Sequence, residues 1–181
     1  MYHYGGNNPV KYVDPDGRET TVIIIHANTG WEKLVGGSHV AIHFSNPGID
    51  SYGEITLPAL YDPSGSYEGL EQGKYQYRPS SGLFSGEPQS NLDIYINSVL
   101  RRNNGEYLIT YSIDTTPEQE ASMIEKSIEL GDGYGFSCAN YVSQVLTELG
   151  FNPTLTPRNL EKQLQDSELI EEILIYKKEV E

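Results

Sequence analysis

Residues 137–150, Ser-Cys-Ala-Asn-Tyr-Val-Ser-Gln-Val-Leu-Thr-Glu-Leu-Gly, decide how this 181-residue chain is interpreted. The apolar residues of the stretch recur at helical spacing, at Val142, Val145, Leu146 and Leu149. Gly150 follows where helices commonly end, because glycine adopts the left-handed backbone conformation without strain. The pattern predicts an amphipathic helix that carries Cys138, the single cysteine of the chain, in its first turn.

Cys138 has two interpretations. At the start of a helix, unpaired backbone N–H groups and aligned peptide dipoles lower the pKa of a thiol and so supply more of the nucleophilic thiolate. The same N–H groups stabilise the oxyanion that forms during acyl transfer, and the glycines before Cys138 leave room for a substrate. The alternative is that Cys138 is a small buried hydrophobic residue, as most lone cysteines are.

A thiolate enzyme also needs a base, most often histidine. Strand alternation over residues 38–44 places His39, Ala41 and His43 on one face, which we expect to form the wall of a site. The two histidines lie about 13 Å apart at the rise of a strand, so only one of them reaches the sulfur. His26 ends an apolar strand and is expected to be structural.

The rest of the chain alternates strands and helices, which predicts an α+β fold. Strands are predicted at residues 21–26, 38–44, 57–62 and 106–113. Helices are predicted at residues 90–102 and 137–150, and after Thr116-Pro117 and Thr156-Pro157. Residues 66–89 are rich in Gly, Ser and Pro and are expected to form a long surface loop. Residues 169–176 are apolar enough for either a strand or a helix.

Thr116 and Gln119 mark the start of one of these helices. The threonine side chain accepts from the backbone three residues on, and the glutamine side chain reaches back, which is a capping box. Pro117 fits the first helical position because its missing N–H is not needed there. The buried stripe of this helix is expected to consist of Ala121, Ile124 and Ile128.

Composition excludes several classes of protein. The chain has 12 Lys and Arg against 26 Asp and Glu, which gives a formal net charge of −14 and a pI near 4.6. A nucleic-acid partner is therefore not expected, since such proteins neutralise phosphates with basic surfaces. No apolar run approaches the roughly 18 residues of a membrane span, and the first residues lack the pattern of a secretory signal. One cysteine excludes a disulfide framework and a multi-cysteine zinc site, and no cofactor is predicted.

Residues 1–18 differ in composition from residues 19–181, because turn-forming Asn, Pro, Asp and Gly dominate them. They resemble the stretch Y-x-G-N-N-P-V-x-Y-x-D-P-x-G that closes the core of Rhs/YD-repeat polymorphic toxins. The matching positions are Tyr4, Gly6, Asn7, Asn8, Pro9, Val10, Tyr12, Asp14, Pro15 and Gly17. The resemblance implies the end of an Rhs core at 1–18 and a toxin domain at 19–181. It also implies delivery into a target bacterial cell as part of a larger toxin, with the core shell and a cognate immunity protein as partners.

A second resemblance concerns two fragments, Gly-Ser-His-Val-Ala-Ile at 37–42 and Ser-Cys-Ala-Asn-Tyr-Val at 137–142. Together they resemble circularly permuted papain-like proteins of the NlpC/P60 and lecithin-retinol acyltransferase type, in which a histidine on a strand precedes a cysteine at a helix N-terminus. The resemblance implies an antiparallel sheet packed against helices, with Cys138 as nucleophile and His39 as base. Residues 61–67, Tyr-Asp-Pro-Ser-Gly-Ser-Tyr, also match the Y-D-P-x-G-S-Y of a toxin domain found behind Rhs cores.

Asp62 is the acid best placed to orient His39, because it ends the next predicted strand. A carboxylate that accepts from the imidazole N–H fixes the tautomer and stabilises the imidazolium. The alternative is that Asp62 is only a turn residue before Pro63. Two further candidates are His43, as a donor behind the site, and Asn140, as a polar group at the start of the helix.

The chain is therefore expected to be a papain-like cysteine hydrolase, acting as the effector domain of an Rhs-type toxin. The expected substrate is an amide bond in peptidoglycan stem peptides, because NlpC/P60 relatives act there. A lipid ester, cleaved as in phospholipases and acyltransferases, is the second expectation for the same Cys-His site. The rival is a non-catalytic domain that binds a target protein through residues 66–89, with Cys138 merely packed.

Overall fold

A computed structural model describes residues 19–26, 39–45, 52–53, 57–65, 67, 79–102, 107–134 and 137–177. These residues form one six-stranded antiparallel sheet with helices on both faces, so the α+β class is confirmed. The strands are β1 (Glu19–His26), β2 (His39–Phe44), β3 (Ala59–Tyr61), β4 (Leu83–Ser85), β5 (Tyr107–Asp114) and β6 (Ile170–Lys177). The α-helices are α1 (Leu92–Arg102), α2 (Pro117–Leu130), α3 (Cys138–Val145) and α4 (Pro157–Gln165).

The strand β1 lies inside the sheet because it is apolar on both faces. The strand order is β4-β3-β2-β1-β5-β6, and every neighbouring pair is antiparallel. The residues in the middle of β1 alternate between the two faces and are all buried: Val22, Ile23, Ile24 and Ile25. Such a run needs cover on both sides, which the helices supply. The register pairs Ile25 with His39, so the start of β2 lies beside the end of β1.

Two hydrophobic layers enclose the sheet. The helices α2, α3 and α4 cover one face, where their apolar side chains meet those of Val40 and Ile42. The helix α1 covers the other face, where Tyr95 packs in one cluster with Ala41 and Leu60. The helix α3 lies directly against β2, which holds its first turn close to the first residues of that strand.

The start of α2 is as the sequence predicts, but its buried face differs. Thr116 Oγ1 accepts from Gln119 N at 3.3 Å and Gln119 Oε1 accepts from Thr116 N at 2.9 Å, so the capping box is confirmed. The expected burial is confirmed at two positions, Ala121 and Ile124. Ile128 is 57% exposed, so its assignment to the stripe is wrong. The face that meets the core instead includes Met123 and Ser127, both fully buried.

The two remaining predictions concern residues 66–89 and 169–176. The predicted loop at 66–89 contains the strand β4, whose Leu83 and Phe84 are buried against the sheet. A strand of three residues is too short to show the alternation of apolar and polar residues by which strands are predicted from sequence. Residues 169–176, left open between strand and helix, contribute the edge strand β6. The segment 1–18 lies outside the described residues, and in the described part of the chain no helix is long and apolar enough to cross a bilayer.

Candidate active site

Three elements meet at one end of the sheet and bring together the three residues singled out by the sequence. His39 is the first residue of β2, Asp62 follows β3 directly, and Cys138 is the first residue of α3. Because β2 and β3 are antiparallel neighbours, the start of β2 lies beside the end of β3. The helix α3 packs on β2, and the thiol of Cys138 lies near enough to the His39 side chain for each to shift the pKa of the other.

The Asp62 carboxylate fixes the orientation of the imidazole. His39 Nε2 is hydrogen-bonded to Asp62 Oδ1, and the Asp62 side chain is only 1% exposed, against 15% for that of His39. The hydroxyl of Tyr95 on α1 donates to the same oxygen at 3.0 Å, and the backbone N–H of Tyr67 donates to Oδ2 at 3.3 Å. Three donors thus hold a buried carboxylate in one position, as such a group requires.

The surroundings of His39 favour its protonated form. Burial alone would lower the pKa of the imidazole, but the adjacent Asp62 carboxylate outweighs burial and raises the pKa from 6.5 to about 10. The Cys138 sulfur adds to the rise through a hydrogen bond and through its charge. Because Nε2 binds Asp62, Nδ1 is the nitrogen left for the sulfur. His39 thus has an acidic group on each side, and both favour its protonated form.

The surroundings of Cys138 favour the thiolate. Burial on its own would raise the pKa of the thiol. The hydrogen bond and positive charge of His39 act in the opposite direction, together with backbone hydrogen bonds of Val40 and Ala139, and the pKa falls below the ordinary value of a thiol. A thiolate beside an imidazolium is the arrangement that makes a cysteine nucleophilic near neutral pH.

The turn after β3 is fastened to the segment that leads into α3. The Tyr61 hydroxyl donates to the carbonyl of Gly131 at 2.6 Å, and the backbone N–H of Ser64 donates to Asp132 Oδ1 at 2.9 Å. The hydroxyls of Ser64 and Ser137 are 3.0 Å apart and share a hydrogen bond. Ser64 has a left-handed backbone, with φ of 61°, so these bonds hold a conformation that serine rarely adopts. They keep Asp62 close to the first turn of α3.

Two glycines make this close approach possible. A Cβ atom on Gly65 would lie 2.0 Å from Asp62 Oδ2 and 2.2 Å from Oδ1. A Cβ atom on Gly133 would lie 2.3 Å from the hydroxyl of Ser64 and 2.4 Å from that of Ser137. Any side chain at these positions displaces either the carboxylate that holds His39 or the link between the two serines.

The sulfur is less open to solvent than the sequence led us to expect. Cys138 is 3% exposed, and the face of β2 that carries His39, Ala41 and His43 is not an open wall, because α1 covers it. Only His39, at the end of the strand, has a side chain that reaches the surface. The residues that precede it at 27–38, and the glycine and phenylalanine at 135–136 before α3, lie outside the described residues.

The other candidates lie away from the sulfur. The imidazole of His43 is buried, hydrogen-bonds with the backbone of Ser90, and has no partner for Nδ1 in the described structure. Asn140 accepts from the Gln144 side chain at 2.7 Å, one turn along the same helix. His26 hydrogen-bonds to Glu161 Oε1 at 3.1 Å and stacks on Tyr107, which agrees with its expected structural role. His39 is thus the histidine that the fold places at Cys138.

Two residues of the site are not identifiable from the sequence. Tyr95 has the helical spacing of a core residue, and nothing in that spacing shows that its hydroxyl meets an acid 33 positions away. Tyr67 contributes its backbone N–H, while its ring packs edge-on against Phe84 and Tyr95. The one sequence signal was the Y-D-P-x-G-S-Y match, whose last tyrosine is Tyr67.

Within the described residues, no three His, Cys, Asp or Glu side chains are grouped as metal ligands would be. The chemistry that this group of side chains can perform is nucleophilic attack by sulfur with proton transfer through one imidazole. Comparisons of the chain with models of protein families, with curated proteins and with solved structures find no match.

Proposed function

We propose that this chain is a cysteine hydrolase of papain-like type, in which Cys138 is the nucleophile, His39 the acid and base, and Asp62 the group that orients His39. The observation that carries the proposal is the continuous contact from the Asp62 carboxylate through the His39 imidazole to the Cys138 sulfur. Merely packed cysteines have no charged partner, and burial then raises their pKa. Here the pKa is lowered despite burial.

The first half of the reaction forms a thioester. The thiolate of Cys138 attacks the carbonyl carbon of an amide, and the carbonyl oxygen becomes an oxyanion. The backbone N–H of Cys138 belongs to the first turn of α3, where N–H groups lack helical acceptors, and it stabilises that charge. The bond from carbon to nitrogen then breaks, and the His39 imidazolium gives its proton to the leaving amine. An acyl-enzyme and a neutral imidazole remain.

The second half returns the enzyme to its starting state. The neutral imidazole of His39 takes a proton from water, and the resulting hydroxide adds to the thioester carbon. The bond from carbon to sulfur breaks, a carboxylic acid leaves, and Cys138 is again a thiolate beside an imidazolium. Asp62 stabilises the positive charge that the imidazole gains in this step, and keeps Nδ1 directed at the sulfur.

The proposal includes a permuted papain-like arrangement and an origin in an Rhs-type toxin. The histidine strand precedes the cysteine helix in this chain, and the sheet is antiparallel with the helix packed on the histidine strand. Both features agree with the resemblance to NlpC/P60 and lecithin-retinol acyltransferase proteins. The motif at residues 1–18 supports delivery by a larger toxin, with a cognate immunity protein to protect the producing cell.

The proposed substrate is an amide bond in the stem peptides of peptidoglycan. It rests on the resemblance to NlpC/P60 proteins and on the proposed delivery into bacteria. A lipid ester is attacked by the same thiolate with the same proton transfers, so the two substrates differ in what binds beside the sulfur. They are separated by assay rather than by the chemistry of the three residues.

The low exposure of Cys138 favours one rival, a non-catalytic domain that binds a target protein. In that case the thiol is a packing residue, and its exchange for alanine leaves the effect of the protein on target cells intact. A hydrolase instead admits its substrate to the sulfur from the side where His39 reaches the surface. Replacing Cys138 therefore distinguishes the hydrolase from the binding domain.

Expression in a susceptible bacterium tests the proposal, with the chain directed either to the periplasm or to the cytoplasm. Periplasmic wild-type protein is expected to arrest growth, whereas Cys138→Ala and His39→Gln are expected to be harmless. The matched control is His26→Gln, which removes a histidine that pairs with Glu161 outside the site and should remain toxic. Circular dichroism on each purified variant checks that it is folded. Toxicity that survives either site exchange contradicts the mechanism.

The purified chain identifies the bond. Incubation with isolated peptidoglycan should release fragments with a new amine and a new carboxylate, detected by mass spectrometry. Vesicles of phosphatidylethanolamine provide the parallel assay for ester cleavage, with free fatty acid as the product. Activity on the vesicles alone would replace the peptidoglycan proposal with the lipid one, and activity on neither would favour the binding domain.

A further inference from the structure

The strand β6 is an edge strand with charged residues only toward its two ends and an apolar stretch between them. In the described part of the chain its only neighbour in the sheet is β5. Edge strands of soluble proteins are commonly short, charged or interrupted by proline, which prevents pairing with other chains. The strand β6 has eight residues and no proline, and three consecutive apolar side chains on it are exposed. They are Ile173 at 50%, Leu174 at 41% and Ile175 at 58%.

We propose that β6 is an interface between two copies of this chain, paired antiparallel about a twofold axis at Leu174. Two β6 strands in this arrangement join two six-stranded sheets into one, and the unpaired backbone groups of both edges are satisfied. The interface is isologous, since the same strand contributes both sides. It is independent of the catalytic proposal, because the site lies at the start of β2 and not on β6.

The register is set by the requirement that each helix layer stays on its own side of the joined sheet. The twofold axis is perpendicular to the sheet, so two residues paired across the interface have side chains on the same side of the joined sheet. Because side chains alternate between the two sides along a strand, the sequence numbers of two paired residues differ by an even number. Centring the pair on Leu174 places Ile173 opposite Ile175 of the other copy. It also places Glu172 opposite Tyr176, and it brings Glu171, at the irregularity of the strand, to the level of Lys177.

These pairings are complementary in charge and in polarity. The apolar residues meet in the middle, a carboxylate meets a tyrosine hydroxyl, and an ion pair closes each end. Moving the centre to position 173 instead sets Glu171 opposite Ile175 and Glu172 opposite Leu174, which buries carboxylates against apolar side chains. Glu171 is the extra residue at an irregularity of the strand, so it has no partner on β5.

The net charge of −14 opposes association of two copies, so local complementarity must overcome it. The single exchanges Glu171→Lys and Lys177→Glu each place like charges opposite each other at both ends of the interface. We expect each variant alone to lose the dimer. An equimolar mixture should recover it, because the introduced lysine of one variant then faces the introduced glutamate of the other. This reciprocal rescue is specific to the proposed register.

Sedimentation of the full chain measures the result. Wild type should approach twice the 20.2 kDa of one chain as its concentration rises. Leu174→Lys should be a monomer although it reduces the net negative charge. Ile128→Lys, which also replaces an exposed apolar residue by lysine but lies on α2, should still dimerise. A wild type that stays monomeric overturns the proposal. So does a dimer that survives Leu174→Lys, or a mixture of the charge variants that fails to pair.

Discussion

His39 lies between two acidic groups, the Asp62 carboxylate and the Cys138 thiol, which both raise the pKa of its imidazole. The three groups are largely shielded from water, so their charges interact more strongly than charges at the surface do. Removing one member therefore changes the protonation of the other two. The hydroxyl of Tyr95 and the N–H of Tyr67 keep the carboxylate in place, so the imidazole has a fixed orientation before a substrate arrives.

The exchange Asp62→Asn tests the orienting role. Without the carboxylate, burial is no longer outweighed, so the pKa of His39 should fall well below about 10. Less imidazolium leaves less thiolate at neutral pH, and turnover should fall by roughly 100-fold or more. Titration of the His39 ring by NMR measures the first effect, and the hydrolysis assay measures the second.

Glu120→Gln is the matched control for that exchange. Glu120 is also a buried carboxylate, but it accepts from the hydroxyls of Thr20 and Thr115 at the opposite end of β1. Its loss should cost stability and leave the His39 titration where it is in wild type. If Asp62→Asn left the His39 titration unchanged, the proposed role of Asp62 would be wrong.

Gly65→Ala tests the packing that holds Asp62. The added Cβ would overlap the carboxylate, so Asp62 must move away from His39 Nε2. We expect a loss of turnover similar to that of Asp62→Asn, with destabilisation of about 1–3 kcal/mol from the steric overlap. Gly53→Ala is the control, since its added Cβ has nothing within 4 Å and meets only the strain of a φ of 84°. Full activity in Gly65→Ala would show that the turn is not needed.

The sequence points to His39 and Cys138 because their types and order resemble a known family, and to Asp62 because it ends the strand predicted to follow that of His39. Their proximity follows from strand neighbours and a packed helix, which patterns of this kind predict only coarsely. The contribution of Tyr95 follows from how α1 packs on the sheet, and no local signal records it. The shielding of the sulfur is likewise a product of packing, so the sequence predicted a more open site.

At the scale of elements, β2 holds two histidines in opposite states. His39, at its start, is kept protonated by a carboxylate, whereas burial lowers the pKa of His43 to about 4 although the backbone of Ser90 offers a hydrogen bond. The alternation of side chains along the strand correctly predicts that both histidines lie on one face of β2. It did not reveal that only the strand end has an acid beside it, because that acid comes from another strand.

His43 should make the protein sensitive to acid. Its folded pKa lies below the 6.5 of the unfolded chain, so between about pH 6.5 and 4 the unfolded chain binds more protons. The free energy of unfolding should therefore decrease as the pH is lowered across that window, by roughly 3 kcal/mol from this group. Glutamine cannot titrate, so in His43→Gln the free energy of unfolding measured with urea should decrease less steeply as the pH is lowered. The same exchange at His26 is the control, and equal slopes for wild type and His43→Gln would contradict the assignment.

Elements with strong local signals are the ones that the sequence predicts best. The capping box of α2 and the start of α3 follow from residues within a few positions of each other. The α-helix predicted over residues 137–150 ends at Val145, and a 3-10 helix at Leu146–Leu149 follows it. The exposure of Ile128 and the existence of β4 do not, because they depend on which face the helix turns to the sheet and on pairing with β3. Long-range contacts of this kind override local preference.

At the scale of the whole molecule, the sheet is a rigid support that brings three sequence-distant residues to one end. Helices cover both of its faces, so the strands cannot shift without exposing the core. The site and the free edge β6 therefore belong to different parts of one scaffold. The alternation of strands and helices in the sequence predicts the α+β class, but not that the core divides into two layers.

The most direct measurement of the central claim is the rate at which iodoacetamide alkylates Cys138 as a function of pH. In folded wild-type protein, followed by intact mass, the rate should reach its plateau well below the ordinary thiol pKa of about 8.5. In His39→Gln only the backbone hydrogen bonds of Val40 and Ala139 still oppose the burial of the sulfur, so the inflection should move up toward that value or above it. A wild-type inflection at or above pH 8.5, identical profiles in the two proteins, or labelling only after unfolding would contradict a thiolate held by His39.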